Sequence, residues 1–415
     1  MTTERIISKR IRSLRLIPKA GVERKIASST FISSIGFGMY ISGSAVYFVN
    51  QVGLAAGEVG VGMSIAGLAW LPLSIPIGTL ADRWGARQTA ILFGVGQTAL
   101  LISTVYVHSF AQFLGVIVAL GIFEQGGMVV RGAIFAEVIP EGRRVKLSAY
   151  TRSLFNLGFT IGALLSGIAL SLDTRSAYLT LMLGNAVSAT VVTVVYATLP
   201  YAKRRRAQRR DVYRQSRFRD YPYVAASVVC GILEICDTIL TVGIPLWVVS
   251  SAGLPNGLAA WAIALNTVLV VLLQVRFSKG LETPSDTVGV LRRACLALVA
   301  ACTLMSTTGW LGAFASIIVL VAAVVLLTAG ELWNSAATWS LRYGLAPEGA
   351  QGQYGGAFEL GSGIPHLVAG PLVVTMLIAD LGATGWALVA LVFLILYLFV
   401  RPAISWAVRT RQTMT

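Results

Sequence analysis

Long apolar stretches, broken at near-regular intervals by short polar or charged clusters, fill almost the whole chain. They stand at 26–50, 56–80, 89–107, 112–139, 148–172, 178–199, 221–249, 257–275, 288–308, 313–342, 354–378 and 384–404. A bilayer core takes about 20 apolar residues per helical crossing, so the pattern predicts twelve transmembrane helices. None of the stretches alternates in the manner of a transmembrane barrel strand. A polar segment at 200–220 divides the set into a first half, 26–199, and a second half, 221–404. Residues 1–25 and 405–415 are left as tails.

One pattern occurs twice. Residues 120–142 read LGIFEQGGMVVRGAIFAEVIPEG, and 327–349 read LTAGELWNSAATWSLRYGLAPEG. A single offset of 207 residues carries Glu124 onto Glu331, Pro140 onto Pro347, Glu141 onto Glu348 and Gly142 onto Gly349. A repeat of about half the chain, with an acid kept inside an apolar run in both copies, is the mark of a duplicated transporter.

Composition sharpens the class. The chain has 415 residues, 56% hydrophobic and 12% charged, too little polar surface for a soluble domain of this size. The net charge of +15 could point to nucleic acid, but its distribution excludes that. Of the 33 Lys and Arg, all but Arg131 and Arg175 fall in the tails, in the even-numbered connections, or within about a turn of them. That asymmetry places both termini in the cytoplasm and offers the basic face to anionic lipid headgroups. Ile7, Ile11 and Leu14 in the basic 1–25 segment have the spacing of an interfacial helix, though a solvated tail fits as well. Cys230, Cys236, Cys295 and Cys302 all lie in apolar stretches and read as buried thiols, not as metal ligands or a disulfide framework. No phosphate-binding loop, cofactor motif or metal spacing is present.

Between the second and third stretches runs Gly78-Thr-Leu-Ala-Asp82-Arg83-Trp-Gly85-Ala-Arg87. The spacing G-x-L-x-D-R-x-G-x-R resembles the signature loop of the major facilitator superfamily. In the fifth stretch Asn156, Gly158, Gly162 and Gly167 resemble the glycine-rich motif of its drug–proton antiporter branch, with two departures. Gly162-Ala163 stands where that branch has Gly-Pro, and Ile122 stands where it places an arginine in the fourth span. The strings PLWVV, ALNTVLVVLLQVR, GELWNSAATWSLRYGLAP and QGQYGGAF look like a bacterial group of such exporters. The resemblance implies two pseudo-symmetric six-helix bundles joined by the linker 200–220, with Asp82 at the centre of a cytoplasmic gate. The turn Gln274-Val-Arg276-Phe-Ser-Lys279-Gly280 looks like a decayed second copy of that gate.

Four acids lie deep in apolar stretches: Glu124 in the fourth, Glu234 and Asp237 in the seventh, Glu331 in the tenth. Each costs about 2.5–3.5 kcal/mol at mid-bilayer if ionised against lipid, so they are expected to face protein or a water-filled cavity. The resemblance implies that spans one, four, seven and ten line that cavity. Arg131 stands seven residues after Glu124, about 10.5 Å along the helix, and is expected to reach Glu137, Asp82 or another helix. Glu234 and Asp237, three apart, share a face. Two carboxylates so close resist ionising together, as a proton-carrying pair must; hydrogen-bonded neutral acids are the structural alternative. Trp333, near Glu331, and Tyr40 would add aromatic surface suited to an organic cation, and Asn266 joins these cavity candidates. Trp247 fits an interfacial anchor. Glu359 reads as a gate or cap, and His366 as either a packed polar residue or a proton carrier.

The expected function is secondary active transport, namely proton-coupled efflux of amphipathic or cationic small molecules across a bacterial inner membrane. The expected partners are protons, substrate and lipid, with no cofactor and no nucleic acid, and the expected state is a monomer. A proton-coupled nutrient importer on the same fold is the leading alternative, and an intramembrane enzyme a remote one. The charge asymmetry predicts that a cysteine at Arg205 reacts with an impermeant thiol reagent only from the cytoplasmic face, and one at Ser176 only from outside. The reverse labelling would invert the topology.

Overall fold

In hydrocarbon a backbone has to satisfy its own N–H and C=O groups, and apolar stretches of this length do so as helices. The computed structural model of the protein describes residues 21–172, 174–199, 220–250, 257–281, 283–347, 349–370 and 374–412. The first half comprises α1 (Val22–Asn50), α2 (Gly57–Trp84), α3 (Ala86–Ser103), α4 (Phe110–Val138), α5 (Glu141–Leu172) and α6 (Arg175–Ala197). The second half comprises α7 (Tyr221–Val248), α8 (Gly257–Phe277), α9 (Thr287–Thr307), α10 (Ala313–Gly344), α11 (Gln351–Gly363) and α12 (Leu381–Arg411). No strand occurs among the described residues.

Ten of these helices are long and apolar enough to cross a membrane. The apolar part of α8, Trp261–Phe277, is shorter. The stretch expected at 354–378 is not one continuous helix, because α11 passes at Ile364 into a π-turn, Ile364–Ala369, with Pro365 at its start. Pro72 likewise interrupts α2 with a single tight turn, Leu71–Leu73, since proline has no N–H to give the helix ladder. The last helix runs on to Gln412, so the tail expected from 405 begins as helix. The basic segment at 1–20 and the linker at 200–219 lie outside the described residues.

Local polar groups set the ends. Ser109, Thr174 and Asp220 cap α4, α6 and α7 by accepting the backbone N–H of Gln112, Ala177 and Tyr223. Gly85 closes α2 at φ 105°, a left-handed conformation that explains glycine at that point of the gate motif. The outgoing end of α6 is held by Lys25, which reaches the Thr198 hydroxyl at 3.0 Å, and by Arg87, which donates to the Ala197 carbonyl. Cations there complement the negative helix terminus. Glu23 pairs with Arg143 at 3.0 Å, and Asp220 with Arg411 at 2.8 Å. These contacts gather the start of α1 and the even-to-odd connections on one face, called here the terminal face.

Each half has its own apolar interior. One cluster is drawn wholly from residues 223–407, around Trp386, Phe393, Phe358 and Leu298. Two others are drawn from 40–189 and 77–199. Within the first half α5 lies almost backbone to backbone on α1: a Cβ at Gly158 would meet the Ser34 hydroxyl at 2.1 Å, and one at Gly162 the Ile35 carbonyl at 2.1 Å. Close approach of small residues is how helices bind each other where no hydrophobic effect separates them from lipid. Gly167, grouped with these two in the sequence, meets nothing within 4 Å and takes no part in that contact.

The halves meet near the terminal face. There α2 crosses α11 so closely that a Cβ on Gly78 would fall 1.9 Å from the Gly352 carbonyl oxygen, and one on Gly356 would fall 2.2 Å from that of Ser74. The Ser74 hydroxyl donates to the Gly356 carbonyl at 2.9 Å across the same crossing. Filling such a contact costs about 1–3 kcal/mol, or about 5–150-fold in a two-state equilibrium. Gly356→Val is therefore expected to favour conformations separated at the terminal face. Spin labels at Gln88 on α3 and Arg409 on α12 should report a longer distance population in the variant than in the parent protein; an unchanged distribution would mean that the crossing does not hold the halves together.

Candidate functional site

Arg152 lies eleven residues into α5, and its guanidinium crosses from the first half to the second. There Nη2 donates to Glu331 Oε1 of α10 at 3.2 Å. The other carboxylate oxygen accepts from Asn266 Nδ2 of α8 at 2.8 Å, and the same amide reaches Thr328 Oγ1 at 3.0 Å. Glu331 is thereby buried, at 7% exposure, with both oxygens engaged. An arginine keeps its charge under all physiological conditions; its side chain is 35% exposed and that of Glu331 only 9%, so losing Arg152 leaves a buried carboxylate without its counter-charge.

Other charges surround this bridge. Asp237 and Glu234 of α7 both lie within electrostatic reach of Arg152. Glu234 Oε2 stands 3.8 Å from Nδ1 of His366, which sits inside the π-turn of α11. Nearer the terminal face, Glu359 of α11 pairs with Arg342 of α10 at 2.5 Å. The set holds two arginines against four carboxylates and a histidine. A second π-turn, Ile239–Gly243, begins two residues after Asp237, and the Thr241 hydroxyl within it donates to the Asp237 carbonyl at 2.7 Å. Single π-turns inside helices recur at functional positions, and here each lies beside a titratable group.

Between the cluster and the terminal face the halves are sealed. The rings of Phe135 (α4) and Tyr343 (α10) stack at 5.6 Å, and Trp339 stacks on Tyr343 at 5.5 Å. Arg144 lies over the Tyr343 ring at 5.9 Å. At the α2–α11 crossing the Asp82 carboxylate accepts the backbone N–H of Gly352 at 2.9 Å and of Gln353 at 2.8 Å. These are the first turns of α11, where free N–H groups and the helix dipole favour an anion. Arg83 is exposed beside it, while Arg87 is committed to α6.

The remaining candidates fall in different places. Glu124 takes part in neither the bridge nor the second-half cluster: its carboxylate accepts from Gln97 Nε2 of α3 at 3.3 Å, and Tyr40, buried in the first-half core, is its electrostatic neighbour. Arg131 folds back along α4 to within 3.4 Å of where a Cβ on Gly127 would sit, toward Glu124. Trp333 does not face the Glu331 carboxylate; two residues turn a helix by about 200°, and its ring packs on Phe277 of α8 at 5.2 Å. Trp247 is not an interfacial anchor but is buried, donating to the Thr308 hydroxyl at 2.8 Å beside Trp386.

Glu331 also departs from expectation. The repeat offset pairs Arg131 with Thr338, so Glu331 has no arginine at the position matching Arg131; its arginine comes instead from α5. By its place in the sequence Arg152 falls among the basic residues that follow α4. A signal for it was available, since the offset of 207 carries Arg152 onto Glu359, putting a charge at matching depth in α5 and α11. Asn156, one turn beyond Arg152, is half-buried on the same face of α5.

The family model described as the Major Facilitator Superfamily matches residues 26–370. No curated protein matches by sequence. Among solved structures, the human organic anion transporter MFSD10 aligns with a TM-score of 0.65 and 17% identity over 92% of this chain and 100% of that one. A bacterial homologue of the iron transporter ferroportin in an outward-facing state gives 0.69 and 15%, over 93% and 99%. The proton:xylose symporter XylE gives 0.69 and 13%, over 92% and 95%. At these identities the likeness is one of fold.

The Asp82 contact joins the two halves, so it stabilises only conformations in which the terminal face is shut. Hydrogen bonds to a charged group contribute about 1.5–3 kcal/mol. Asp82→Asn, which keeps one acceptor and loses the charge, is expected to lengthen the distance between labels at Gln88 and Arg409 and to slow turnover. Substrate affinity should stay within a few-fold, because Asp82 lies on the far side of the seal. Normal turnover with an unchanged distribution would reduce the loop to a topology signal.

Proposed function

The chain belongs to the Major Facilitator Superfamily, a family of multi-pass membrane transporters, and from that premise we propose that it is a twelve-span, proton-coupled exporter of amphipathic organic cations. Its terminal face would be the cytoplasmic one, in a bacterial inner membrane. Residues 26–199 and 221–404 would move as two bundles about the charged cluster. The observation that carries this reading is the Arg152–Glu331 bridge between the halves, set among carboxylates that outnumber the arginines.

The chemistry follows from the charges. With the terminal face shut, Glu331 is ionised and holds Arg152, and the bond ties α5 to α10. A proton arriving on Glu331 cancels that attraction, and Glu234 or Asp237 can take up Arg152 as a replacement anion. The tie between the halves then weakens and the seal can open toward the cytoplasm, where the proton leaves. An organic cation entering from that side neutralises the same carboxylates and competes with the proton for them. Exclusive occupancy by one or the other is the condition for antiport. Excess acid favours a cation as cargo, because ionised carboxylates left unpaired in a cavity are costly.

Export is tested in proteoliposomes with an imposed pH gradient, screened against cationic dyes and sugars. The expected result is movement of a cationic dye against the proton flow. Glu331→Gln should abolish the dependence on the gradient, and Arg152→Met should cut gradient-driven transport by about tenfold or more. Glu124→Gln, outside the bridge, should do less. Movement of a sugar with the protons would mark an importer instead. Full gradient dependence in Glu331→Gln would remove the bridge from coupling.

A further inference from the structure

The face of α5 that carries Arg152 also carries Phe155, Asn156 and Phe159, at spacings of three, four and seven residues, so all four side chains project the same way. That direction is fixed by Arg152, whose guanidinium reaches Glu331 in the other half. The opposite side of the same helix is marked by Leu157, Leu164 and Ile168, all exposed as lipid-facing residues are. Phe37 of α1 completes a group. Its ring lies 6.0 Å from that of Phe155 and 6.0 Å from that of Phe159, and the latter two stack at 6.2 Å with their planes 20° apart. None of the three rings is fully buried.

Depth places this trio beside the acids. Phe155 and Phe159 lie fourteen and eighteen residues along α5 from Glu141, and Glu234 and Asp237 lie thirteen and sixteen along α7 from Tyr221. Both helices start from the terminal face. Arg152 bridges to Glu331 and is in electrostatic reach of both acids, so the face of α5 that carries the patch is turned toward the second-half carboxylates. We propose that Phe37, Phe155 and Phe159 form a subsite for the planar aromatic part of the substrate, while Glu234 and Asp237 hold its cationic group. This narrows the cargo to aryl-bearing monocations, and it rests on the cation-exporter reading above. The rings contribute in two ways: offset stacking with an aryl group, and attraction of a delocalised cation to the ring faces. An aliphatic cation of equal charge engages the acids but gains little from stacking.

The test compares tetraphenylphosphonium with tetrabutylammonium, one aryl and one alkyl, binding to the purified protein by titration calorimetry. The parent protein is expected to bind both, the aryl cation more tightly. Phe155→Leu and Phe159→Leu should each weaken tetraphenylphosphonium about tenfold and leave tetrabutylammonium within about twofold. Phe155→Tyr and Phe159→Tyr, which keep the ring, should bind as the parent does. An equal loss for both cations, or no loss for either, would overturn the subsite while leaving the cation reading in place. Failure of the parent protein to bind either cation would overturn both. Photolabelling of the parent protein with an aryl-azide ammonium probe needs no variant to fold: label on α5 between Arg152 and Gly162 or on α1 near Phe37 supports the subsite, and label confined to other helices overturns it.

Discussion

A guanidinium cannot shed its charge, and Arg152 brings one from the first half into an interior otherwise lined by second-half acids. Wherever Arg152 goes an anion has to accompany it, and in this structure the anion is Glu331 on the opposite half. The strength of the tie comes less from the attraction itself than from the cost of leaving the Glu331 carboxylate buried without its cation. A proton is the smallest agent that can relieve that cost, and a cationic substrate is the next. In the proposed mechanism the seal toward the terminal face would depend on which of these three positive charges the carboxylates hold.

The rest of the contact between the halves is built to act with that tie. Glycine at 78, 352 and 356 brings α2 and α11 into backbone contact. Asp82 then uses the first N–H groups of α11 as a ready anion site, and the Phe135–Tyr343–Trp339 stack closes the layer above. These interactions all join one half to the other, so separating the halves at the terminal face would break them together, as a two-state device requires. Duplication supplied the frame but not the chemistry. Glu124 and Glu331 are related by the repeat, yet one rests on a glutamine inside its own half and the other carries the bridge. The α5 and α11 positions matched by the same offset hold opposite charges, Arg152 and Glu359.

The all-helical class was legible in the chain because lipid imposes it: apolar stretches of this length satisfy their backbone groups as helices, and ten of them are long and apolar enough to cross a membrane. The spacing around Asp82 marks it in the sequence as an acid apart, and the structure joins it to the first N–H groups of α11. Side-chain partnerships were not legible. Glu331 and Arg152 are 179 residues apart and on different halves, and no local pattern links them. Trp333 is close to Glu331 in sequence, but residues two apart on a helix face different ways, and its ring packs on Phe277. Trp247 has the sequence position of an interfacial anchor, but its indole donates to Thr308 inside the second-half core. The break in α11 at Ile364 was hidden because an apolar run gives no sign of how its ladder of hydrogen bonds is arranged.

The central claim is that the charge of Glu331 holds the terminal face shut. It is tested most directly by the distance distribution between spin labels at Gln88 and Arg409, followed from alkaline to acidic pH in the parent protein and in Glu331→Gln. The account predicts a short distance at alkaline pH that gives way to a longer one on acidification in the parent protein. Glu331→Gln, which carries no charge to lose, should show the longer distance throughout and no pH dependence. A variant that keeps the short distance at alkaline pH and still lengthens on acidification would show that the proton acts elsewhere, and would contradict the account.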